Sequence, residues 1–354
     1  MKPIETLQNL LEENGCGIIL SENNRQYLTG FRADDGILVV AKRSAVLFAD
    51  FRYVEAARAE ARGCEVVLLT SSAAQLSALA EKLGLETAFV ETEELTLARL
   101  AQLRHELPKL EFNLSPEFNA AITRMRMVKS PVEIEFIKRA QQITDAAFNY
   151  ILGEIRPGVS ERDIAAELEY FMKKHGSSFP AFDTIAISGE STSKPHGVPG
   201  SRRLKSGDFI TMDFGASFEG YRSDMTRTVA LGEITEEQRR VYDLVLEAQL
   251  RALDAVAAGK TGREIDKVAR DIIDGAGYKG CFGHGLGHSV GLYIHEEPRF
   301  SPSCPTVMEE GMVITVEPGI YLEGRFGVRI EDLVVITAQG CENLTKSAKQ
   351  LIVL

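Results

Sequence analysis

The sequence predicts two domains, an α/β domain followed by an α+β domain, and three observations support this. The chain of 354 residues exceeds what one hydrophobic core usually organises. Up to residue 126, short β-rich runs alternate with helical ones. From residue 127 onward, capped amphipathic helices are separated by glycine-punctuated β-rich segments, two of which echo each other.

In the first domain, residues 17–20, 36–40, 45–48, 65–69 and 88–90 read as strands, and residues 73–83 as a helix between two of them. Residues 1–15 carry an amphipathic helical pattern broken by Glu5, Glu12 and Glu13, so they lack the apolar stretch of a signal peptide. The second domain starts at Ser130-Pro131-Val132-Glu133, where serine is an N-cap, proline takes the first helical position and glutamate follows three residues after the cap. Val132, Phe136, Ala140, Ile143, Ala147 and Ile151 then predict one buried face over about five turns. Further helices are predicted from Ser160, from Thr235 with Gln238 completing a capping box, and from near Thr261, ending before Gly275. The domain boundaries are therefore 1–126 and 127–354.

Hydrophobic residues at 44% and charged residues at 26% are ordinary for a globular protein. A formal charge of -11 argues against nucleic acid or an anionic membrane as partner, because both require a basic field. No run approaches membrane-spanning length. The five cysteines are scattered without paired metal spacing, which suits reduced thiols and a cytoplasmic location.

The echo lies in the second domain. Gly207-Asp-Phe-Ile-Thr-Met-Asp213-Phe-Gly215 superposes on Gly311-Met-Val-Ile-Thr-Val-Glu317-Pro-Gly319, with the same separation between glycine and acid. Glu219-Gly220 and Glu323-Gly324 follow at equal distances, and each leads to another acid, Asp224 or Glu331. Two hairpins carrying two carboxylates each are expected, as halves of a pseudo-symmetric sheet. Each first acid ends an apolar run, so it faces burial, and few lysines are nearby to neutralise four such groups. Divalent cations would do so.

Between the halves lies Gly283-His284-Gly285-Leu286-Gly287-His288, and His295-Glu296-Glu297-Pro298-Arg299 follows. Three of the six histidines crowd into this segment. Its alternating glycines permit close backbone approach and suit neither a strand nor a helix interior. Four carboxylates with one imidazole make a hard, oxygen-rich donor set that fits Mn²⁺, with Co²⁺ or Zn²⁺ as substitutes. Two such cations can activate water for attack on a carbonyl at neutral pH.

Taken in order, MDFG (212–215), SDMTRT (223–228), GHGLGH (283–288), HEEPR (295–299), TVEPG (315–319) and GVRIED (327–332) resemble the creatinase, prolidase and methionine aminopeptidase superfamily, peptidase family M24. Tyr27-Leu28-Thr29-Gly30-Phe31 and Asp50-Phe51-Arg52-Tyr53 resemble the amino-terminal domain of prolidases and aminopeptidases P. The resemblance implies a pita-bread catalytic domain with two metal ions. Asp213 would hold one, His288 and Glu317 the other, and Asp224 and Glu331 would bridge them. It implies that Glu317 also shuttles a proton, and that His196 and His295 are non-ligand catalytic histidines that bind the substrate carbonyl and its oxyanion. His284 and Arg329 would support the ligands from behind. Arg299 would grip the carboxylate of a terminal proline, a planar anion suited to a guanidinium.

The activity implied is hydrolysis of the bond preceding proline, in Xaa-Pro dipeptides or short peptides, by a homodimer. An aminopeptidase P would use the same ligands on longer peptides. A metal-free creatinase would not need this ligand set, and a non-catalytic binding module would not be expected to keep all five positions. Asp213-Phe214-Gly215 spells the kinase magnesium motif, but no HRD triplet accompanies it. His295-Glu296 starts like HExxH, but position 299 is arginine.

Overall fold

The computed structural model describes residues 3–354, and the chain divides into two compact units, 1–126 and 127–354. In the first unit, six strands form one sheet in the order 65–68, 44–49, 37–41, 15–19, 87–90, 111–113. The three central strands pair antiparallel and the outer pairings are parallel. Alternation divides the sheet between two cores. Leu38 and Val40 enter one with Ile4, Leu7 and Leu28, while Ile37 and Val39 enter the other with Leu76 and Leu103. The last strand, Glu111–Asn113, is only three residues long, too short for period-2 alternation to reveal it in sequence.

The second unit repeats one plan twice. Helices Pro131–Ile151 and Glu161–Lys174 cover the first half, and Glu236–Ala255 and Gly262–Ile273 cover the second. All four begin with a complete capping box, from Ser130, Ser160, Thr235 and Thr261. Each such cap contributes about 1 kcal/mol by satisfying N–H groups that the helix cannot. The buried face of the first helix departs from the simple periodic expectation. Val132 is exposed, and Ile137, Thr144 and Phe148 share the buried side with Ala140, Ile143, Ala147 and Ile151. The stripe begins only at Ile137, in the second turn of the helix.

The echoed segments have the same strand sequence. In the first half, Asp208–Phe214 pairs antiparallel with Met225–Leu231, and a small hairpin of Ser217–Phe218 and Tyr221–Arg222 lies between them. In the second, Val313–Val316 pairs with Asp332–Thr337 around the hairpin Gly319–Leu322 and Phe326–Arg329. Gly207 and Gly311, which open the two halves, share a φ of 89°, a left-handed conformation open to glycine. Register differs between them. Asp213 lies opposite Thr226, whereas the second ladder ends at Val316 opposite Asp332, just before Glu317. The second unit has the pita-bread fold, and its two halves bring their acids towards one cavity.

Candidate active site

Strand alternation delivers the first acid. Met212 and Phe214 point into the apolar core of the first half, so Asp213 between them points to the opposite face. Asp224 precedes the return strand and is 4% exposed, and Glu331 occupies the matching place in the second half at 1%. His288 comes from the strand Gly287–Ser289, which pairs on one side with Glu296–Phe300 and on the other with Val313–Val316. Glycine at 287 is required for this approach, since a Cβ there would lie 1.9 Å from the Thr315 carbonyl oxygen. At Gly285, it would lie 2.8 Å from the Phe300 carbonyl oxygen.

Asp224, His288 and Glu331 each offer one ligand atom, all within 4.8 Å of one another. His288 Nε2 is 3.5 Å from Asp224 and 3.4 Å from Glu317. With Nδ1 donating to the Ser289 carbonyl at 3.2 Å, Nε2 keeps its lone pair for the carboxylate side. Asp213 joins through Arg329, whose Nη2 donates to its Oδ2 at 2.6 Å. All five predicted ligands line one cavity of about 850 Å³, with His196, His284, His295, Arg299 and Arg329.

The electrostatics show what this cluster is suited to hold. Burial, then the charges of Glu331, Asp213 and Glu317, raise Asp224 well above the usual carboxylate range. Glu331 is raised for the same reasons, burial first and then Glu317 and Asp213. Glu317 is pushed up to about 8, chiefly by burial. Burial lowers His288 to about 3, with His295 the next contributor, so the imidazole is a neutral donor. Oδ1 of Asp213 and Oε1 of Glu331 are buried without a hydrogen-bond partner. Such oxygens are costly to bury unless something positive meets them, so the donor set fits divalent cations.

Several supporting residues escaped the sequence reading. Thr226 Oγ1 donates to Glu331 Oε2 at 2.7 Å and accepts from Arg329 Nε at 2.9 Å. Thr315 Oγ1 donates to Glu317 Oε1 at 3.1 Å and accepts the His288 N–H at 3.0 Å. Both lie two residues from a predicted ligand, and period-2 alternation could have flagged them. Tyr321 had no such signal. Its hydroxyl meets His284 Nε2 at 2.9 Å and Arg329 Nη1 at 2.8 Å, and Arg329 Nη1 also reaches the Pro195 carbonyl at 3.2 Å. Hydrogen bonds therefore link His284 to Asp213 through Tyr321 and Arg329, apart from the cluster of Asp224, His288 and Glu331. Arg227 is buried against Asp332 at 2.7 Å and donates to the carbonyl of Glu331, which holds that residue's backbone. Asp266, bidentate with Arg270, accepts the Leu286 N–H at 3.0 Å and ties the glycine-rich segment to a helix.

This relay makes a prediction. Tyr321→Phe removes one hydroxyl that bonds two charged or polar groups, so turnover should fall about tenfold, the effect of roughly 1.5 kcal/mol. KM should change little, and steady-state kinetics checks this.

Buried carboxylates, a neutral imidazole and further histidines in one solvent-reached cavity define a metal-dependent hydrolytic enzyme. Residues 135–338 match the model of metallopeptidase family M24, and residues 3–128 match the creatinase/prolidase N-terminal domain. The chain belongs to metallopeptidase family M24. An uncharacterised peptidase of Bacillus subtilis is 38% identical over 99% of both chains. A solved structure described as an Xaa-Pro dipeptidase from Bacillus anthracis superposes with a TM-score of 0.95 at 41% identity, covering 100% of this chain and 99% of that one. An X-Pro aminopeptidase from Thermotoga maritima superposes with a TM-score of 0.92 at 37% identity, covering 98% and 99%.

Proposed function

We propose that this chain hydrolyses the peptide bond preceding proline in Xaa-Pro dipeptides, with two divalent metal ions held by Asp213, Asp224, His288, Glu317 and Glu331. The observation that carries the reading is the convergence of four carboxylates and His288 on one cavity, with two buried carboxylate oxygens left unpartnered, in a member of a metallopeptidase family. The likeness to the Bacillus anthracis Xaa-Pro dipeptidase supports the substrate class. Asp213 would hold one ion, His288 and Glu317 the other, and Asp224 and Glu331 both. The hard donor set favours manganese, with cobalt or zinc as substitutes. When bound, the ions would lower the pKa of a water molecule and polarise a carbonyl oxygen.

The chain's own residues do the rest. His196 and His295 are exposed at the cavity, where they can donate to the substrate carbonyl and to the charge that develops on its oxygen. Glu317, braced by Thr315, accepts and returns a proton at its carboxylate. Proline has no N–H and a fixed φ, so a peptidase that relies on strand pairing binds it poorly and a shaped pocket is needed. Arg299, exposed at the cavity wall and 3.2 Å from Glu297, can turn its guanidinium to the proline carboxylate. Among the described residues no helix is long and apolar enough to cross a membrane. The free thiols and the charge of -11 support a cytoplasmic setting, and the family resemblance supports a homodimer.

Assay of an Xaa-Pro dipeptide against an Xaa-Pro tripeptide with Mn²⁺ tests the reading, with the dipeptide as the better substrate. Arg299→Ala should raise KM for the dipeptide roughly 10- to 100-fold, the 1.5–3 kcal/mol of a hydrogen bond to a charged group, and leave kcat within about threefold. The aminopeptidase reading is favoured by the Thermotoga maritima likeness. Cleavage of the tripeptide alone would establish it in place of the dipeptidase.

A further inference from the structure

We propose that Lys129 is a positioning residue for the two histidines His288 and His295, acting as a buried clamp on the loop that joins them. The inference rests on the functional reading above for its kinetic consequence, and on geometry alone for the clamp itself.

Lys129 stands at the start of the second unit, just before the N-cap Ser130. Its backbone N–H donates to the Gly311 carbonyl at 3.0 Å, and Val128 forms a bridge to Met312, so the main chain is tied to the segment leading into the strand Val313–Val316. The side chain then runs inward and is 1% exposed. Its Nζ donates to Ser289 Oγ at 2.8 Å and to Glu296 Oε2 at 3.2 Å, and Glu296 is itself only 2% exposed. Ser289 is the residue after His288, and Glu296 is the residue after His295. One ammonium therefore holds both ends of the loop that separates these histidines.

The loop is built around this pair. Glu296 Oε1 accepts the Tyr293 N–H at 3.1 Å, and Ser289 Oγ donates to the Val313 carbonyl at 2.8 Å. Gly291 packs so close that a Cβ there would lie 2.7 Å from either Glu296 oxygen. Strand pairing cannot hold this geometry by itself. The ladder between Gly287–Ser289 and Glu296–Phe300 breaks register between His288 and Ser289, passing from a partner at Arg299 to one at Glu296. At such a break the backbone no longer dictates where side chains point. The rings of His288 and His295 nonetheless meet edge to face, with centroids 4.5 Å apart. A buried ion pair is poor evidence of added stability, because desolvation offsets attraction, but it is well suited to fixing one arrangement among several. This ion pair would set the spacing between a ligand histidine and a substrate-binding histidine.

The test is a set of variants at Lys129 and Glu296. Lys129→Met strips the buried Glu296 carboxylate of its ammonium counter-charge and lowers folding yield, so Lys129→Met/Glu296→Gln, which removes both charges, is made beside it. The double variant should fold and bind the same amount of Mn²⁺ per chain as wild type. It should lose at least tenfold in kcat on an Xaa-Pro substrate, with KM within about threefold. Added to His295→Ala, it should cost clearly less than the full tenfold further, because part of the clamp's effect runs through that histidine. Independently of activity, the Cε1–H resonances of His288 and His295 should move in the double variant and recover in part in Lys129→Arg/Glu296→Asp. Unmoved resonances, or a full tenfold loss on top of His295→Ala, would overturn the proposal. Absence of Xaa-Pro hydrolysis by wild type would instead overturn the functional reading, and the resonances would still decide the clamp.

Discussion

Glu331→Gln should lower kcat/KM on Xaa-Pro substrates by more than about 10³-fold and at the same time make the metal-free protein more stable at pH 8. The two effects have one cause. Glu331 is 1% exposed, and burial together with Glu317 and Asp213 raises its pKa well above the ordinary value, so its ionised form is disfavoured without a cation. Glutamine keeps the acceptor for Thr226 and removes the charge. What is lost is a ligand that both ions would share, and loss of transition-state electrostatics on this scale exceeds about 4 kcal/mol. Kinetics and thermal melts in chelator check the two effects, and elemental analysis checks the loss of bound metal. A variant that keeps wild-type activity would remove Glu331 from the site.

Chelation should abolish activity and lower stability, and the stability loss should grow between pH 6.5 and 8. The sign follows from the folded-state pKa values. Carboxyls raised in the folded protein contribute stability that is full below their unfolded values and is lost as pH rises through the folded ones. Glu317 reaches about 8, and Asp224 and Glu331 are raised in the same direction. Burial lowers His288 to about 3 and His284 to about 4, so their contribution is complete above the ordinary value of 6.5 and falls only towards acid. Above pH 6.5 the carboxyls therefore dominate. Metal-free stability should fall by about 1.4 kcal/mol per pH unit for each carboxyl still protonated. With Mn²⁺ present, ligation favours the ionised carboxylates and the slope should flatten or reverse. Denaturant melts at pH 6.5, 7.2 and 8 with and without Mn²⁺ measure the gap. Parallel slopes would show that these carboxylates are not where the metal acts.

Much of the fold was legible because its signals are local. Ser130, Ser160, Thr235 and Thr261 each announce a helix within four residues, and each helix begins there. The six-residue spacing from Gly207 to Asp213 and from Gly311 to Glu317 announced two related hairpins, and the strand pairings follow that repeat. The exposure of Val132 was not legible, since periodicity defines a face but not how far the covering sheet extends along it.

The acids and the histidine of the site were readable one by one, because buried carboxylates at strand ends beside glycine-spaced histidines have few structural uses. Their order and spacing also carried the family resemblance. Sequence by itself thus determined the donor types, the helix starts and the repeated half. Only the tertiary structure decided which groups meet: Thr226 with Glu331, Tyr321 with His284 and Arg329, Arg227 with Asp332, and Lys129 with Glu296. Most of these partners stand far apart along the chain, and helix or strand periodicity relates only near neighbours. Their contacts arise when the sheets and helices of each unit pack to bury apolar surface, and the charges enclosed by that packing must then find one another or a cation.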